Sequence, residues 1–209
     1  MILILLFCIS VVTSALTMKY NGLKSGDILL SKNVVYDNSN LYSVFRNILT
    51  FVIRVETDTS FSHAALVIVD PPWAETPGTY AWQIEVTGPR IIPLSEFIKD
   101  NPGCTYQTYA RNGTRSVQRL FTDEKLRSLH QLTSDARYDN NPNDWLAALH
   151  HTGKRHSDSF FCSAFVGYIL TQCGVLAEDT NWSDISPRDL SSDSYLHWNH
   201  KYSKVYKLQ

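Results

Sequence analysis

The sequence of 209 residues has no long run of one charge and no internal repeat. Its 19 Lys and Arg residues nearly balance its 20 Asp and Glu residues, and the formal net charge is −1. A nucleic-acid-binding surface needs a stripe of basic side chains, so we expect no nucleic-acid partner. The sequence also lacks a Gly-rich phosphate loop and a GxSxG motif, which removes the usual signals of nucleotide binding and of a serine nucleophile.

Zinc-binding spacings are missing as well, since no CxxC, HxxxH or HExxH motif occurs. By residue type alone, zinc could be held by His63, Cys162 and one of His150, His151 or His156. The last three lie in the segment HHTGKRH, which is typical of a solvated loop. We therefore expect no metal and no other cofactor.

The one long apolar run stands at the N-terminus. Residues 1–15, MILILLFCISVVTSA, end in small residues that resemble a signal-peptidase site, but they lack the usual positive start. A membrane span needs about 20 apolar residues, and this run is shorter. A cleaved signal peptide, an uncleaved short anchor and a buried strand remain alternatives, of which we favour the first. We then expect a secreted or membrane-associated protein, with residues 16–209 forming a single domain.

Loss of that segment would leave three cysteines, Cys104, Cys162 and Cys173. Because three is an odd number, at least one thiol stays free. A Cys104–Cys173 disulfide is an alternative that the sequence leaves open.

Cys162 lies near the start of a predicted buried helix. Residues 157–159 are Ser, Asp and Ser, which are good helix caps, and apolar residues then recur at helical spacing until Gly174. The positive end of a helix dipole lowers the pKa of a thiol. This position favours a nucleophile, whereas the alternative is an ordinary small core residue.

Apolar patterning predicts an α+β domain with a mainly antiparallel sheet packed against helices. His63 opens a strand, 63–69, that is apolar on both faces and should lie centrally, while strand 80–87 alternates and carries Glu85 on its more polar face. Residues 26–30 are predicted to be a turn that enters a short buried strand, and the other predicted strands are 90–93, 105–110 and an edge strand at 202–208. The other predicted helices are 41–54, 95–99 and 122–137, the last with Thr122 as its cap, and the segment DNNPNDW at 139–145 is predicted to be a loop. The broad apolar face of 41–54 fits core packing, or alternatively an acyl-chain site or membrane surface.

A thiol nucleophile needs a base to take its proton and a third group to orient that base. His63 is a candidate base because an imidazole at the start of a buried strand needs hydrogen-bond partners. Glu85, on the next predicted strand, could orient the ring. The alternative is that His63 is a hydrogen-bonded core histidine and that Glu85 is a solvated residue on an exposed face of the sheet.

The chain resembles the circularly permuted, NlpC-type papain-like thiol hydrolases, specifically the YiiX-like group that also has poxvirus members. Lecithin retinol acyltransferase-like enzymes are more distant relatives. In this group the histidine strand precedes the cysteine helix, as it does here. The resemblance rests on six motifs in order between residues 26 and 190: GDILLSK, FSHAALVI, WQIEVTGPRIIPLSEF, ARYD, FFCSAFV and SPRDL.

This resemblance implies a permuted papain-like fold in which Cys162 is the nucleophile, His63 the general base and Glu85 the third residue. A longer Pro-rich loop precedes Glu85 here, so Gln83, which points the same way, is the alternative third residue. The resemblance also implies that three further residues shape the substrate site without reacting. They are Tyr138, Asp139 and Ser163.

We expect a cysteine hydrolase that cleaves an amide or ester bond through an acyl-enzyme intermediate. The substrate could be a peptide, another amide or a lipid. A lipid acyltransferase or phospholipase of the same fold is one alternative, and a non-catalytic binding module that keeps the fold is another. Membrane association through the N-terminus remains open, as does the oligomeric state.

Overall fold

The computed structural model describes residues 22–32, 61–101, 103–109, 117–191 and 202–207. The predicted N-terminal signal segment and the predicted helix 41–54 lie outside these residues. The strands are β1 (Ile28–Ser31), β2 (His63–Val69), β3 (Thr79–Glu85), β4 (Gly88–Pro93), β5 (Thr105–Tyr109), β6 (Arg137–Tyr138), β7 (Ser159–Phe160) and β8 (Tyr202–Lys207). Six of them form an antiparallel sheet of order β4-β3-β2-β1-β5-β8, and β6 pairs with β7 in parallel.

The helices are α1 (Leu94–Asp100), α2 (Asp123–Thr133), α3 (Pro142–His150) and α4 (Cys162–Gln172), with 3₁₀ turns at Val117–Leu120 and Trp182–Asp184. The predicted α+β class with a mainly antiparallel sheet is confirmed. Within the described part of the chain, no helix is both long enough and apolar enough to cross a membrane.

Strand β2 has the central position that its two apolar faces predict. Ala64, Leu66 and Ile68 face one core cluster, and Ala65 and Val67 face the other. All five are fully buried. Helices cover the sheet on both sides, so a strand without a polar face fits here and not at an edge.

Helix α4 supplies much of the larger core cluster. Nine of its eleven residues are buried, and Phe165 packs edge-on against Trp82 of β3 with ring centroids 5.7 Å apart. Gly167 lets the helix approach the following segment closely, because a Cβ atom there would lie 2.5 Å from the Ile185 methyl group. The helix is therefore packed on two sides, against β3 and against the segment that follows the helix.

The start of α2 confirms the predicted cap, since the Thr122 hydroxyl accepts a hydrogen bond from the Lys125 backbone N–H. The helix ends at Thr133 and not at 137, because Arg137 and Tyr138 pair with β7. The edge position of β8, which pairs with β5, is also as predicted.

Two predictions about the segment before Cys162 are wrong. The segment DNNPNDW at 139–145 was expected to be a loop, but from Pro142 onward it belongs to helix α3, which has Asn141 as its cap and Pro142 in its first turn. Ser157 to Ser159 do not cap α4, because Ser159 belongs to β7 and Phe161 is the cap, without a side-chain hydrogen bond. The predicted placement of Cys162 in the first turn is correct.

The open question of a Cys104–Cys173 disulfide is answered by the fold. Both thiols are free and buried. Cys173 belongs to the core cluster around α4, and Cys104 belongs to the cluster around α1. The sheet separates the two clusters, so the two sulfur atoms cannot meet.

Candidate active site

Cys162 is the first residue of α4, and its side chain is only 6% exposed. The backbone N–H groups of Ala64 and Ser163 both donate hydrogen bonds to its sulfur. The first N–H groups of a helix have no partner within the helix and point toward its N-terminus. The start of α4 therefore presents Cys162 to donors that favour a thiolate.

His63 lies at the start of β2 and is 7% exposed. Its ring stacks on Phe97 of α1 with centroids 6.1 Å apart, and it is hydrogen-bonded to the thiol of Cys162. Its Nε2 atom lies 2.6 Å from Oε1 of Gln83. Two residues that are 99 positions apart in the sequence thus meet, as the sequence predicts.

The protonation of this pair departs from that of isolated side chains. Burial raises the pKa of Cys162, but the charge and hydrogen bond of His63, helped by the two backbone N–H groups, outweigh it and lower the pKa overall. Burial lowers the pKa of His63, whereas the charge and hydrogen bond of Cys162, with the hydrogen bond to Gln83, raise it overall. Both shifts favour a thiolate beside an imidazolium.

Gln83, not Glu85, contacts the imidazole. Gln83 is 1% exposed and its Nε2 atom donates to Oε1 of Glu85 at 2.8 Å, so Glu85 lies one hydrogen bond further from His63. The expected direct contact between Glu85 and His63 is therefore not the one observed. A neutral amide suits the buried position, because an unpaired buried carboxylate is costly.

Glu85 is placed at the end of β3, where it is partly exposed. Its Oε2 atom accepts a hydrogen bond from Arg90 of β4 at 2.8 Å, and the two side chains are 34% and 45% exposed. The pairing of Glu85 with Gly88 at the β3–β4 turn brings Arg90 near. Glu85 is thus held between Gln83 and Arg90.

Tyr138 and Asp139, expected to shape the substrate site, have contacts that hold the start of α3. The Tyr138 ring packs edge-on against Trp145, with centroids 6.2 Å apart. The Asp139 carboxylate accepts from the Asn141 N–H at 2.8 Å, and its backbone carbonyl accepts from the Trp145 indole at 2.8 Å. A role of either residue toward substrate remains a proposal.

Ser163 is fully buried, and its hydroxyl has no hydrogen-bond partner. Its backbone N–H contacts Cys162 directly. A larger side chain at this position would have to displace core atoms, so the small size of Ser163 allows Cys162 and the core to approach.

Sequence reasoning missed the residues that tie the segment before α4 to the segment after it. Asp184 accepts a hydrogen bond from the Gly153 N–H at 2.6 Å, and Asn181 donates to the Gly153 carbonyl at 2.7 Å and to Asp184 at 2.6 Å. Arg155 stacks over Trp182 at 4.4 Å. Asn and Asp beside a Gly are a weak turn signal, and nothing in the sequence indicated that they pair across 28 residues or more.

The site thus holds a thiol that is hydrogen-bonded to a histidine base, and the side-chain carbonyl of Gln83 meets the other nitrogen of that histidine. Among the described residues, no group of three or more His, Cys, Asp or Glu side chains is arranged to hold a metal ion. No model of a known protein family matches the sequence, and a comparison with curated proteins finds no match.

Proposed function

We propose that the protein is a cysteine hydrolase of permuted papain-like fold that cleaves amide or ester bonds. The observation that carries this proposal is the chain of contacts from Cys162 through His63 to Gln83. A buried thiol beside a histidine whose far nitrogen meets a side-chain amide is the arrangement that an activated cysteine requires. The motif resemblance and the α+β architecture agree with it.

In the proposed reaction, His63 holds the proton of Cys162 as an imidazolium, and the thiolate attacks the substrate carbonyl carbon. The new S–C bond forms as the carbonyl electron pair moves to oxygen. Collapse of this intermediate breaks the bond to the leaving amine or alcohol, which takes the proton from His63. Water, deprotonated by His63, then attacks the acyl carbon, and collapse of this second intermediate breaks the S–C bond, releases the carboxylic acid and restores the thiolate beside the imidazolium.

The developing oxyanion needs donors near Cys162. The backbone N–H of Cys162 is the first of α4 and has no partner inside the helix, so we assign it as one donor. Ala64 and Ser163 already donate to the sulfur and stabilise the thiolate before attack. No cofactor is needed for this chemistry.

The substrate class is proposed only as far as an amide or ester carbonyl. A lipid substrate and membrane association draw on the apolar segment 41–54 and on the N-terminal run, both outside the described residues. Secretion is likewise proposed from the sequence of the N-terminal run alone. Transfer of the acyl group to an acceptor other than water would use the same residues.

The experiment is a product analysis of the full chain. Phospholipids and peptidoglycan peptides are incubated separately with the protein and with the variants Cys162→Ala and Cys173→Ala, and products are identified by mass spectrometry. We expect hydrolysis of one substrate class, lost on the order of a million-fold in Cys162→Ala and kept in Cys173→Ala. Full activity of folded Cys162→Ala contradicts the proposal, whereas a reactive thiolate without any turnover favours a binding module.

A further inference from the structure

Glu85 stands at the outer end of the hydrogen-bond chain that starts at the thiol. From His63 the chain runs to Gln83 over 2.6 Å, on to Glu85 over 2.8 Å, and to Arg90 over a further 2.8 Å. The two carboxylate oxygens of Glu85 have separate partners, Gln83 on one and Arg90 on the other. The carboxylate is therefore fixed in place from both sides.

The chemistry of an amide makes this arrangement important. The two ends of the Gln83 amide have nearly the same shape, yet one end accepts hydrogen bonds and the other donates them. A carboxylate can only accept, so Glu85 must face the NH₂ end of Gln83. The carbonyl Oε1 then faces His63.

The orientation of the Gln83 amide determines the tautomer of His63. Because Oε1 can only accept, Nε2 of His63 must carry a proton, which leaves Nδ1 of the neutral ring as the acceptor for the Cys162 proton. A reversed amide would set two donors against each other. Gln83 is 1% exposed and His63 7% exposed, so water cannot readily replace the lost partner.

We propose that Glu85 is a positioning residue that acts through Gln83, by selecting the amide orientation that keeps His63 able to take the proton of Cys162. This inference rests on the proposed function. Arg90 supports it by holding the second oxygen of the carboxylate. Glu85 contacts neither the thiol of Cys162 nor the ring of His63, so its proposed role is to position Gln83 and not to take part in the reaction.

The first test compares Glu85→Gln with Glu96→Gln in the full chain. Glu96 is another acid near Arg90, with its carboxylate 3.9 Å from the guanidinium, so its variant removes one negative charge without removing a contact of Gln83. We expect Glu85→Gln to slow alkylation of Cys162 by iodoacetamide at pH 6 about 10- to 100-fold, the range typical of a second residue behind a functional one. Glu96→Gln should alkylate at the wild-type rate.

A second measurement reports on the ring itself. Nitrogen-15 NMR of labelled histidine distinguishes the proton on Nε2 from the proton on Nδ1. Neutral His63 should carry its proton on Nε2 in the wild type and in Glu96→Gln, and should show a mixture of both forms in Glu85→Gln. An unchanged tautomer in Glu85→Gln would overturn the inference even if alkylation slows, because the charge of Glu85 also raises the pKa of His63.

The exchange variant Gln83→Glu/Glu85→Gln offers a rescue. It keeps the net charge, puts an accept-only group beside His63, and lets the new amide donate inward and accept from Arg90. We expect alkylation at pH 6 to return to within about threefold of wild type, a small remainder for a conservative change. If the folded exchange variant is no faster than Glu85→Gln, the inference is overturned. These readouts need no turnover, so failure of the proposed hydrolysis leaves them intact.

Discussion

Helix α4 begins at Cys162 and is capped at its far end by Cys173, and the surroundings of the two thiols differ although both are buried, 6% and 1% exposed. Around Cys162 stand an imidazole and two backbone N–H donors, and its pKa is lowered. Around Cys173 the core is apolar, and burial raises its pKa to about 12. The helix dipole acts in the same sense, positive at the first thiol and negative at the second.

The difference shows that burial by itself does not decide whether a cysteine can react. Burial disfavours the thiolate at both ends of α4, and only the partners at the first end reverse its effect. Cys104, in the other core cluster, behaves like Cys173, since burial raises its pKa to about 12 as well. The protein therefore contains two internal controls for its candidate nucleophile.

The largest expected effect is selective alkylation of Cys162 in the native protein. With a pKa of about 12, Cys104 and Cys173 would be thiolate in only about one molecule in 100,000 at pH 7. We expect iodoacetamide at pH 6–7 to modify Cys162 and to leave the other two unmodified, as read by peptide mass spectrometry. If the alkylation rate of Cys162 rises with pH around an ordinary thiol pKa of about 8.5, Cys162 is not activated and the contrast with Cys104 and Cys173 is contradicted.

Removal of His63 should make the first end of α4 resemble the second. In His63→Ala the burial of Cys162 is no longer offset by the imidazolium, so the pKa of Cys162 rises and its alkylation at pH 6.5 falls on the order of 100-fold, the low end of what a positioned acid–base partner contributes. His130→Ala is the matched control, because it also removes a histidine ring from an aromatic contact, the stack on Trp73 at 4.3 Å, but takes no partner from Cys162. Equal loss in both variants would show that the pKa of Cys162 does not depend on His63.

The middle of α4 can be tested through its close approach to Ile185. In Gly167→Ala the new Cβ would lie 2.5 Å from the Ile185 methyl carbon, and the overpacking should cost about 1–3 kcal/mol, partly offset by the better helix propensity of Ala. Urea unfolding measures this loss. Gly22→Ala, where nothing lies within 4 Å of the new atom, is the control. Adding Ile185→Val should restore part of the stability, and an additive further loss would contradict the contact.

The most gradual expected effect is on stability at alkaline pH. The pKa of Cys173 is raised from 9.0 to about 12 in the folded state, so above pH 9 the unfolded chain releases a proton that the folded chain keeps. The free energy of unfolding should therefore fall with rising pH, by about 1.4 kcal/mol per pH unit for this thiol. Cys173→Ala should show a slope between pH 9 and 11 that is shallower by this amount. Equal slopes would place Cys173 in contact with solvent.

Much of this fold follows from local patterns. The doubly apolar run of β2 predicted a central strand, the Thr122 cap predicted the start of α2, and the joint presence of Cys162 and His63 predicted a pair that the structure brings together. The strand and the helix start depend on apolar periodicity and on helix-capping residues, and both can be read from a single sequence.

The rest depends on geometry that periodicity does not carry. Alternation places Gln83 and Glu85 on the same face of β3, but which of them reaches His63 depends on the strand end and on Arg90. Helix α3 was missed because its Asn141-Pro142 start resembles a turn, although the same pair is a good helix cap followed by Pro in the first turn. Pairs such as Gly153 with Asp184 are set by tertiary packing alone.

The hydrogen bonds of Asn181 have a consequence for sugar attachment. Asn181, Trp182 and Ser183 form an acceptor sequence for N-linked glycans, and a glycan would be attached to Nδ2. In the folded chain both hydrogens of that atom are used, toward Gly153 and Asp184. A glycan would remove one of them, so the folded segment around Gly153 and a sugar on Asn181 exclude each other. Protein made in a glycosylating cell should therefore carry no sugar at Asn181 when it is folded.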